Sequence, residues 1–161
     1  RETEAGRPKT EDRRRKIRVS GLMALILALF VLACSGEKSD GAKVQERLDN
    51  AEIKYFTNGK KLYTQHCSNC HMENGEGLGR LIPPLKNSDY LLSDIPRSAL
   101  IIQNGIDSAI TVNGVEYLQP MPANLSLNPT EIAEILTYIT NAWGNEYGGI
   151  DPELVKEVLK K

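Results

Sequence analysis

The sequence predicts an all-α domain that carries one small β-hairpin. Hydrophobic residues recur at helical spacing between positions 128 and 144, and a second helical segment, Pro96 to Asn104, runs up to a glycine. A two-strand pattern occurs at residues 110–117, where an Asn-Gly pair separates two short runs of β-branched residues. These three patterns together favour helices as the framework and the hairpin as an addition to it.

The composition is that of one globular domain with appendages. Of the 161 residues, 40% are hydrophobic and 25% are charged, which excludes collagen-like and low-hydrophobicity disordered chains. The formal net charge of −1 gives no reason to expect nucleic acid as a partner. The three cysteines, Cys34, Cys67 and Cys70, are an odd number, so they cannot all pair in internal disulfides.

Residues 1–33 have the features of a secretory signal. A basic run at 13–18 precedes the apolar run Gly21 to Ala33, which is 13 residues long. A helix that spans a bilayer needs about 20 apolar residues. A buried or amphipathic core helix is disfavoured because the run is apolar on every face. We assign no function to residues 1–12, whose origin is uncertain.

The signal ends in Val31-Leu32-Ala33-Cys34, which resembles a bacterial lipobox with Cys34 as the lipidated residue. Ordinary cleavage and an uncleaved anchor are the alternatives. The resemblance implies export and a lipid anchor on the periplasmic side of a bacterial membrane. Residues 34–53 would be the lipidated cysteine and a polar tether, of which residues 44–53 could form a short helix. From Cys34 onward the chain holds 12 basic and 17 acidic residues, a net charge of −5.

The decisive motif is Cys67-Ser68-Asn69-Cys70-His71, the Cys-x-x-Cys-His signature of covalent haem attachment. On a helix, positions i, i+3 and i+4 share one face. Two thiols in this spacing can form thioethers with the haem vinyl groups while the imidazole reaches the iron from the same side. The sequence therefore predicts one covalently bound haem c.

Two other readings of these residues are weaker. A zinc site needs four converging ligands. Apart from Cys34, the cysteines and histidines of the chain are His66, Cys67, Cys70 and His71, which are too close together on one helix to surround an ion. A thioredoxin-type dithiol would follow a strand in a βαβ unit, and no alternating strand pattern precedes Cys67.

Residues 54–145 resemble the class I (monohaem) c-type cytochrome family, and the lipobox adds the membrane-anchored lipoprotein form. Gly59 and Tyr63 precede Cys67 by eight and four residues, as in the first helix of that family, where the small residue lets the last helix approach. The resemblance implies helices wrapped around one haem. It also implies that the carbonyl of Pro83 accepts a hydrogen bond from the ring of His71, with the adjacent Pro84 as the alternative acceptor.

The sixth iron ligand is predicted to be Met121. Met23 lies in the signal, and Met72 directly follows His71 and cannot reach the opposite haem face. Met121 stands between Pro120 and Pro122, off any periodic element, and its segment resembles the distal-ligand segment of the family. The alternatives are that Met121 only fills the core, or that His66 competes as ligand.

The remaining elements form the scaffold. A short helix is predicted over residues 87–92 and another over 96–104, ended by Gly105. The hairpin at 110–117 resembles an insertion of longer family members before the methionine loop; it could shape partner contact or simply exclude water. The last helix begins at the cap Asn128 with Pro129 and Glu131, and we expect it to continue to Gly144. Residues 146–161 would add a short helix from Asp151 and a tail.

These expectations describe an electron carrier rather than an enzyme. With His71 and Met121 as axial ligands the iron has no open position, so no small-molecule substrate is expected. The predicted role is one-electron transfer between respiratory or dehydrogenase partners, with a relatively high potential. The alternatives are a fixed haem subunit of a larger complex, or a ligand-binding sensor or peroxidase in which Met121 is labile. The net charge of −5 favours partners with basic patches.

Overall fold

The computed structural model describes residues 40–160. The predicted signal and the predicted lipidation site, Cys34, lie outside the described residues. Seven helices and one hairpin are formed in the described part, in the order α1 (Asp40–Arg47), α2 (Asn50–His66), α3 (Ser68–His71), α4 (Asp89–Ser93), α5 (Ile95–Asn104), β1 (Ile110–Val112), β2 (Val115–Tyr117), α6 (Pro129–Ile139) and α7 (Pro152–Leu159). The predicted all-α class with one hairpin is confirmed.

The two longest helices of the described residues both begin with a complete capping box. At α2 the side chain of Asp49 accepts from the amides of Ala51 and Glu52, both at 2.8 Å. The carboxylate of Glu52 in turn accepts from the amide of Asp49. At α6, Asn128 and Glu131 form the same pair of reciprocal bonds, as the sequence predicts. Such caps satisfy amides that the first helical turn leaves without partners.

Helix α6 ends at Ile139, earlier than the predicted end at Gly144. The chain then turns, and Trp143 has a positive φ of 58°. The buried Asn141 side chain explains the early end, because it bonds to backbone groups on both sides of the turn. Its amide donates to the carbonyls of Thr137 and Gly148, and its oxygen accepts from the amide of Gly148. These bonds replace the helical pattern with a turn.

Helices α2 and α6 touch backbone to backbone at Gly59. A Cβ atom at this position would lie 1.9 Å from the carbonyl oxygen of Glu134 and 2.9 Å from Cβ of Tyr138. Asn58, next to Gly59, donates to the Glu134 carboxylate at 2.8 Å. The resemblance implies a crossing at Gly59 with Tyr138 packed against it, and the structure has both.

The folded domain extends further toward the N terminus than the predicted boundary at residue 54. Residues 40–53, assigned by the sequence to the tether, contain α1 and the start of α2. Val44 and Leu48 are buried, and the guanidinium of Arg47 donates to the Asn141 side chain and to the carbonyl of Asn145. Burial of apolar side chains at helical spacing binds this segment to the domain.

Between α3 and α6 the chain forms two short helices and the hairpin. The side chain of Ser88 caps α4, and that of Asp94 caps α5. In the antiparallel hairpin Ile110 pairs with Tyr117, and the connecting Asn113 and Gly114 have φ of 50° and 76°, as a type I′ turn requires. Asp89 and Asn113 exchange two hydrogen bonds of 3.1 and 2.7 Å, which join the hairpin turn to α4.

The C-terminal helix belongs to the core rather than to a free tail. Asp151 caps α7, which packs against α5 and α6. Ile150 and Val155 are buried in the same apolar cluster as the inner face of α6. In the part of the chain that the structure describes, no helix is long and apolar enough to cross a membrane.

Replacing Gly59 by alanine is expected to destabilise the protein by at least about 2 kcal/mol, because the new methyl group would overlap the α6 backbone, which has no rotamer to move into. Denaturant unfolding measures the effect. Lys61→Ala, at an exposed position of the same helix, is the control and should change the free energy of unfolding by less than about 0.5 kcal/mol. Equal stability of the two variants would contradict the close crossing.

Candidate haem site

A cavity opens between the end of α2, the loop after α3, the hairpin and the inner face of α6. Cys67, Cys70, His71 and Met121 all line it. The rest of the wall is largely apolar and includes Ile82, Leu85, Leu91, Ile101, Ile102, Ile106, Ile110, Val112, Tyr117, Ile135 and Ile139. Among the described lining residues there is no Asp, Glu, Lys or Arg.

The attachment motif occupies the junction of α2 and α3. The amide of Cys67 still bonds to the Tyr63 carbonyl at 2.8 Å, while the amides of Cys70 and His71 bond to the Cys67 carbonyl at 3.1 and 3.0 Å. The chain therefore continues in nearly helical form through the motif, and all three side chains face one cavity. Burial, and to a lesser extent the neighbouring Cys70, raises the pKa of the Cys67 thiol to about 11.

His71 is held by its ring. The side chain is buried, and its Nδ1 lies 3.2 Å from the carbonyl oxygen of Pro83. Burial lowers the pKa of His71, and the contact with Pro83 opposes this only in part. In the tautomer that donates from Nδ1, Nε2 keeps its lone pair for a metal. The structure thus gives His71 the contact with Pro83, rather than Pro84, that the resemblance implies.

Gly77 lets the Pro83 segment come close to His71. Its amide donates to the His71 carbonyl at 3.1 Å, and a Cβ on Gly77 would lie 2.3 Å from the Ile82 carbonyl oxygen and 2.7 Å from that of Pro83. The sequence marks this stretch only as a glycine-rich loop. The contact it makes is with residues five and six positions later, so no local pattern identifies it.

Met121 is fixed through its backbone. Its amide and carbonyl exchange hydrogen bonds of 2.8 and 3.0 Å with Ile106, and its half-buried side chain lines the same cavity as His71. Met72 is not among the lining residues, and His66 is exposed at the cavity edge. Of the two methionines in the described residues, only Met121 lines the cavity.

An aromatic cluster of Tyr63, Tyr138 and Trp143 packs beside the attachment motif. Tyr63 is almost fully buried, and its hydroxyl donates to the Met72 carbonyl at 2.6 Å, one residue past His71. Its ring lies 5.3 Å from that of Tyr138 and 5.2 Å from that of Trp143. Burial, together with the nearby Cys67 and Tyr138, raises the pKa of Tyr63, so the hydroxyl stays a donor. The sequence indicates Tyr63 but not its partner carbonyl.

The residues present fit a haem. An apolar cleft with two thiols and an imidazole on one wall, and a thioether sulfur also in its lining, matches the donor set that covalent haem needs. In the described residues no group of three or more His, Cys, Asp and Glu side chains is arranged to hold a metal ion alone.

Comparison with known proteins agrees with this geometry. The model of the cytochrome c family matches residues 56–143, which contain the motif, the Pro83 contact and Met121. The chain belongs to the cytochrome c family. Cytochrome c-552 of Thermus thermophilus is 34% identical over 108 residues, which are 63% of this chain and 82% of that protein. The helices around the cavity and the added hairpin agree with the class I cytochrome c fold.

A second kind of relative is part of an oxidoreductase. The cytochrome c subunit of the alcohol dehydrogenase (quinone) of Gluconobacter oxydans strain 621H is 26% identical over 100 residues. These are 56% of this chain but only 19% of that subunit. Membership of the cytochrome c family gives the chain haem c as its covalent cofactor and electron transfer, not catalysis of its own, as its activity.

Replacing Tyr63 by phenylalanine is expected to lower the free energy of unfolding by about 1 kcal/mol. The ring contacts remain, but the Met72 carbonyl loses its donor. Denaturant unfolding of the haem-loaded protein measures the loss. Tyr147→Phe, at an exposed tyrosine, should be neutral, and a Tyr63→Phe variant as stable as Tyr147→Phe would show that the bond contributes nothing.

Proposed function

We propose that this cytochrome is a one-electron carrier in which Cys67 and Cys70 attach the haem and His71 and Met121 are the axial ligands of its iron. The observation that carries the proposal is that all four side chains line one cavity whose described wall holds no charged residue. Haem c supplies an iron that accepts and releases a single electron.

The two cysteines would attach the group without an external oxidant. Each thiol would add across one vinyl double bond, with its sulfur bonding to one carbon and its hydrogen going to the other. Cys70 is exposed and Cys67 is partly buried, so both remain reachable before the cavity is filled. The junction of α2 and α3 then holds the cofactor next to His71.

With His71 and Met121 both holding the iron, no position would be left for a substrate, which is why we propose a carrier. His71 is oriented by Pro83, and Met121 is fixed by Ile106. Both can keep their places as the oxidation state changes. Thioether ligation by Met121 and the uncharged wall both favour the reduced state, because neither stabilises the additional positive charge of the oxidised state as water would.

Replacing Met121 by alanine is expected to abolish the red charge-transfer band of the ferric iron–thioether bond and to let the reduced protein bind carbon monoxide. The midpoint potential should fall by on the order of 0.1 V, since axial ligands span about 0.8 V among haem proteins. Absorption spectra and a redox titration measure these changes.

Met72→Ala is the matched control, because Met72 does not line the cavity. It should keep the band and resist carbon monoxide. Loss of the band in Met72→Ala but not in Met121→Ala would overturn the ligand assignment. An unaltered protein that lacks the band and binds carbon monoxide would favour the alternative of a ligand-binding haem protein with a labile Met121.

We also propose that the cytochrome is exported and lipid-anchored through Cys34 on the periplasmic face of a bacterial membrane. The support is the basic run, the short apolar run and the Val31–Cys34 lipobox. Redox proteins at that membrane, respiratory or dehydrogenase in type, would then be its donors and acceptors. The mature charge of −5 favours partners with basic patches at the contact.

Growth with radiolabelled palmitate tests the anchor. The unaltered protein should incorporate the label and Cys34→Ala should not, because the acyl chains would be carried by that residue alone. Ser35→Ala, the adjacent change, should still be labelled. An unaltered protein that exports and binds haem but takes up no palmitate would disprove the anchor and leave the haem assignment intact.

A fixed subunit of a larger complex is the second candidate, favoured by the likeness to a dehydrogenase cytochrome subunit. Extraction in mild detergent separates the two. Recovery of the cytochrome alone supports a free carrier, whereas a partner recovered in constant stoichiometry identifies a fixed subunit.

A further inference from the structure

We propose that Gly105 is a positioning residue for Met121: the end of α5 is a rigid backbone support on which the methionine loop rests, and a side chain at Gly105 would push the sulfur away from the iron. The inference rests on the proposed ligation by Met121.

The loop touches this support at three backbone hydrogen bonds. Ile106 donates to the carbonyl of Met121 at 3.0 Å and accepts from its amide at 2.8 Å. Three residues after Met121, the amide of Asn124 donates to the carbonyl of Ile102 at 3.1 Å. The Met121 segment is therefore bound to α5 and to the residues that follow it. Both parts also line the cavity, through Ile102 in α5 and Ile106 after it.

The neighbouring prolines make these bonds hard to replace. Pro120 and Pro122 have no backbone N–H group, so within the three-residue segment only Met121 can donate a backbone hydrogen bond. That single donor is used on Ile106. The fixed φ angles of the two prolines leave fewer neighbouring rotations to absorb a shift of the Met121 backbone before it moves the side chain.

Gly105 faces the loop at a distance that no side chain fits. A Cβ there would lie 2.5 Å from the Met121 carbonyl oxygen, 2.9 Å from the Ala123 amide nitrogen and 3.0 Å from the Pro122 carbonyl carbon. All three are backbone atoms, so no rotamer change relieves the overlap. Gly105 also has φ of 75° and ψ of −176°, a combination that glycine alone adopts readily.

Two other positions provide matched controls. Gly114 in the hairpin turn has φ of 76°, but a Cβ there would meet nothing within 4 Å, so Gly114→Ala measures a positive φ without contact. Leu48→Ala removes a buried side chain next to α1, outside the cavity lining. It measures loss of stability without displacement of the methionine loop.

The experiment compares the haem-loaded proteins carrying Gly105→Ala, Gly114→Ala and Leu48→Ala with the unaltered protein. The strength of the red ferric band and the affinity of the ferric iron for imidazole are measured, with denaturant unfolding alongside. We expect Gly105→Ala to weaken or lose the band and to bind imidazole at least about tenfold more tightly, a change that corresponds to about 1.4 kcal/mol. Gly114→Ala and Leu48→Ala should keep both properties, even where Leu48→Ala is the less stable.

Each outcome decides a different point. If the unaltered protein lacks the band, the proposed ligation by Met121 fails. If it has the band and Gly105→Ala matches Gly114→Ala, the ligation stands and the role of Gly105 is overturned. Loss of the band in Leu48→Ala as well would show that the ligand responds to stability in general, which also overturns the role of Gly105.

If Gly105→Ala yields no folded protein, hydrogen exchange of the backbone amides in the unaltered, reduced protein tests whether the methionine loop rests on this support. The amides of Met121 and Ile106 should exchange at least about a hundredfold more slowly than free loop amides, because they bond to each other's carbonyls. Exchange of the Met121 amide at the rate of an unprotected loop would refute the support.

Discussion

The backbone contact between α2 and α6 at Gly59 is the constraint on which the cavity depends. Helix α2 ends in the attachment motif, and the inner face of α6 supplies Ile135 and Ile139 to the opposite wall. Because the helices cross with no side chain between Gly59 and the Glu134 carbonyl, the distance between these walls is set by backbone geometry. Side-chain packing, which tolerates substitution, then fills the remaining space.

Close backbone contacts at a glycine recur beside both His71 and Met121. The close approach of Gly77 admits the Pro83 carbonyl next to His71, and Gly105 admits the loop that carries Met121. In each case one backbone segment rests on another, and the bonds that join them run between amides and carbonyls. A carrier that changes charge without changing ligands needs little reorganisation, and rigid backbone supports provide that more reliably than long side chains do.

The parts of the structure that could be predicted are those with local signals. The haem motif, the Asn128 cap and the Asn113-Gly114 turn are each complete within a few residues, and the resemblance supplied the partner of His71. The early end of α6 could not be predicted, because Asn141 stops the helix through bonds to residues that are remote from the helical pattern. The packing of α1 escaped detection for a similar reason, since two buried residues, Val44 and Leu48, stand in a polar stretch.

The packing of α1 on the domain limits how far the domain could move from a lipid anchor at Cys34. A tether over residues 34–53 would give the domain a wide radius of movement, but the chain is helical from Asp40 and this helix is held to the domain by Val44 and Arg47. Six residues from a lipidated Cys34 to Asp40 span at most about 20 Å even when fully extended. A lipid anchor at Cys34 would therefore confine the haem domain to a thin layer next to the bilayer, and a partner would have to present its own redox centre within that layer.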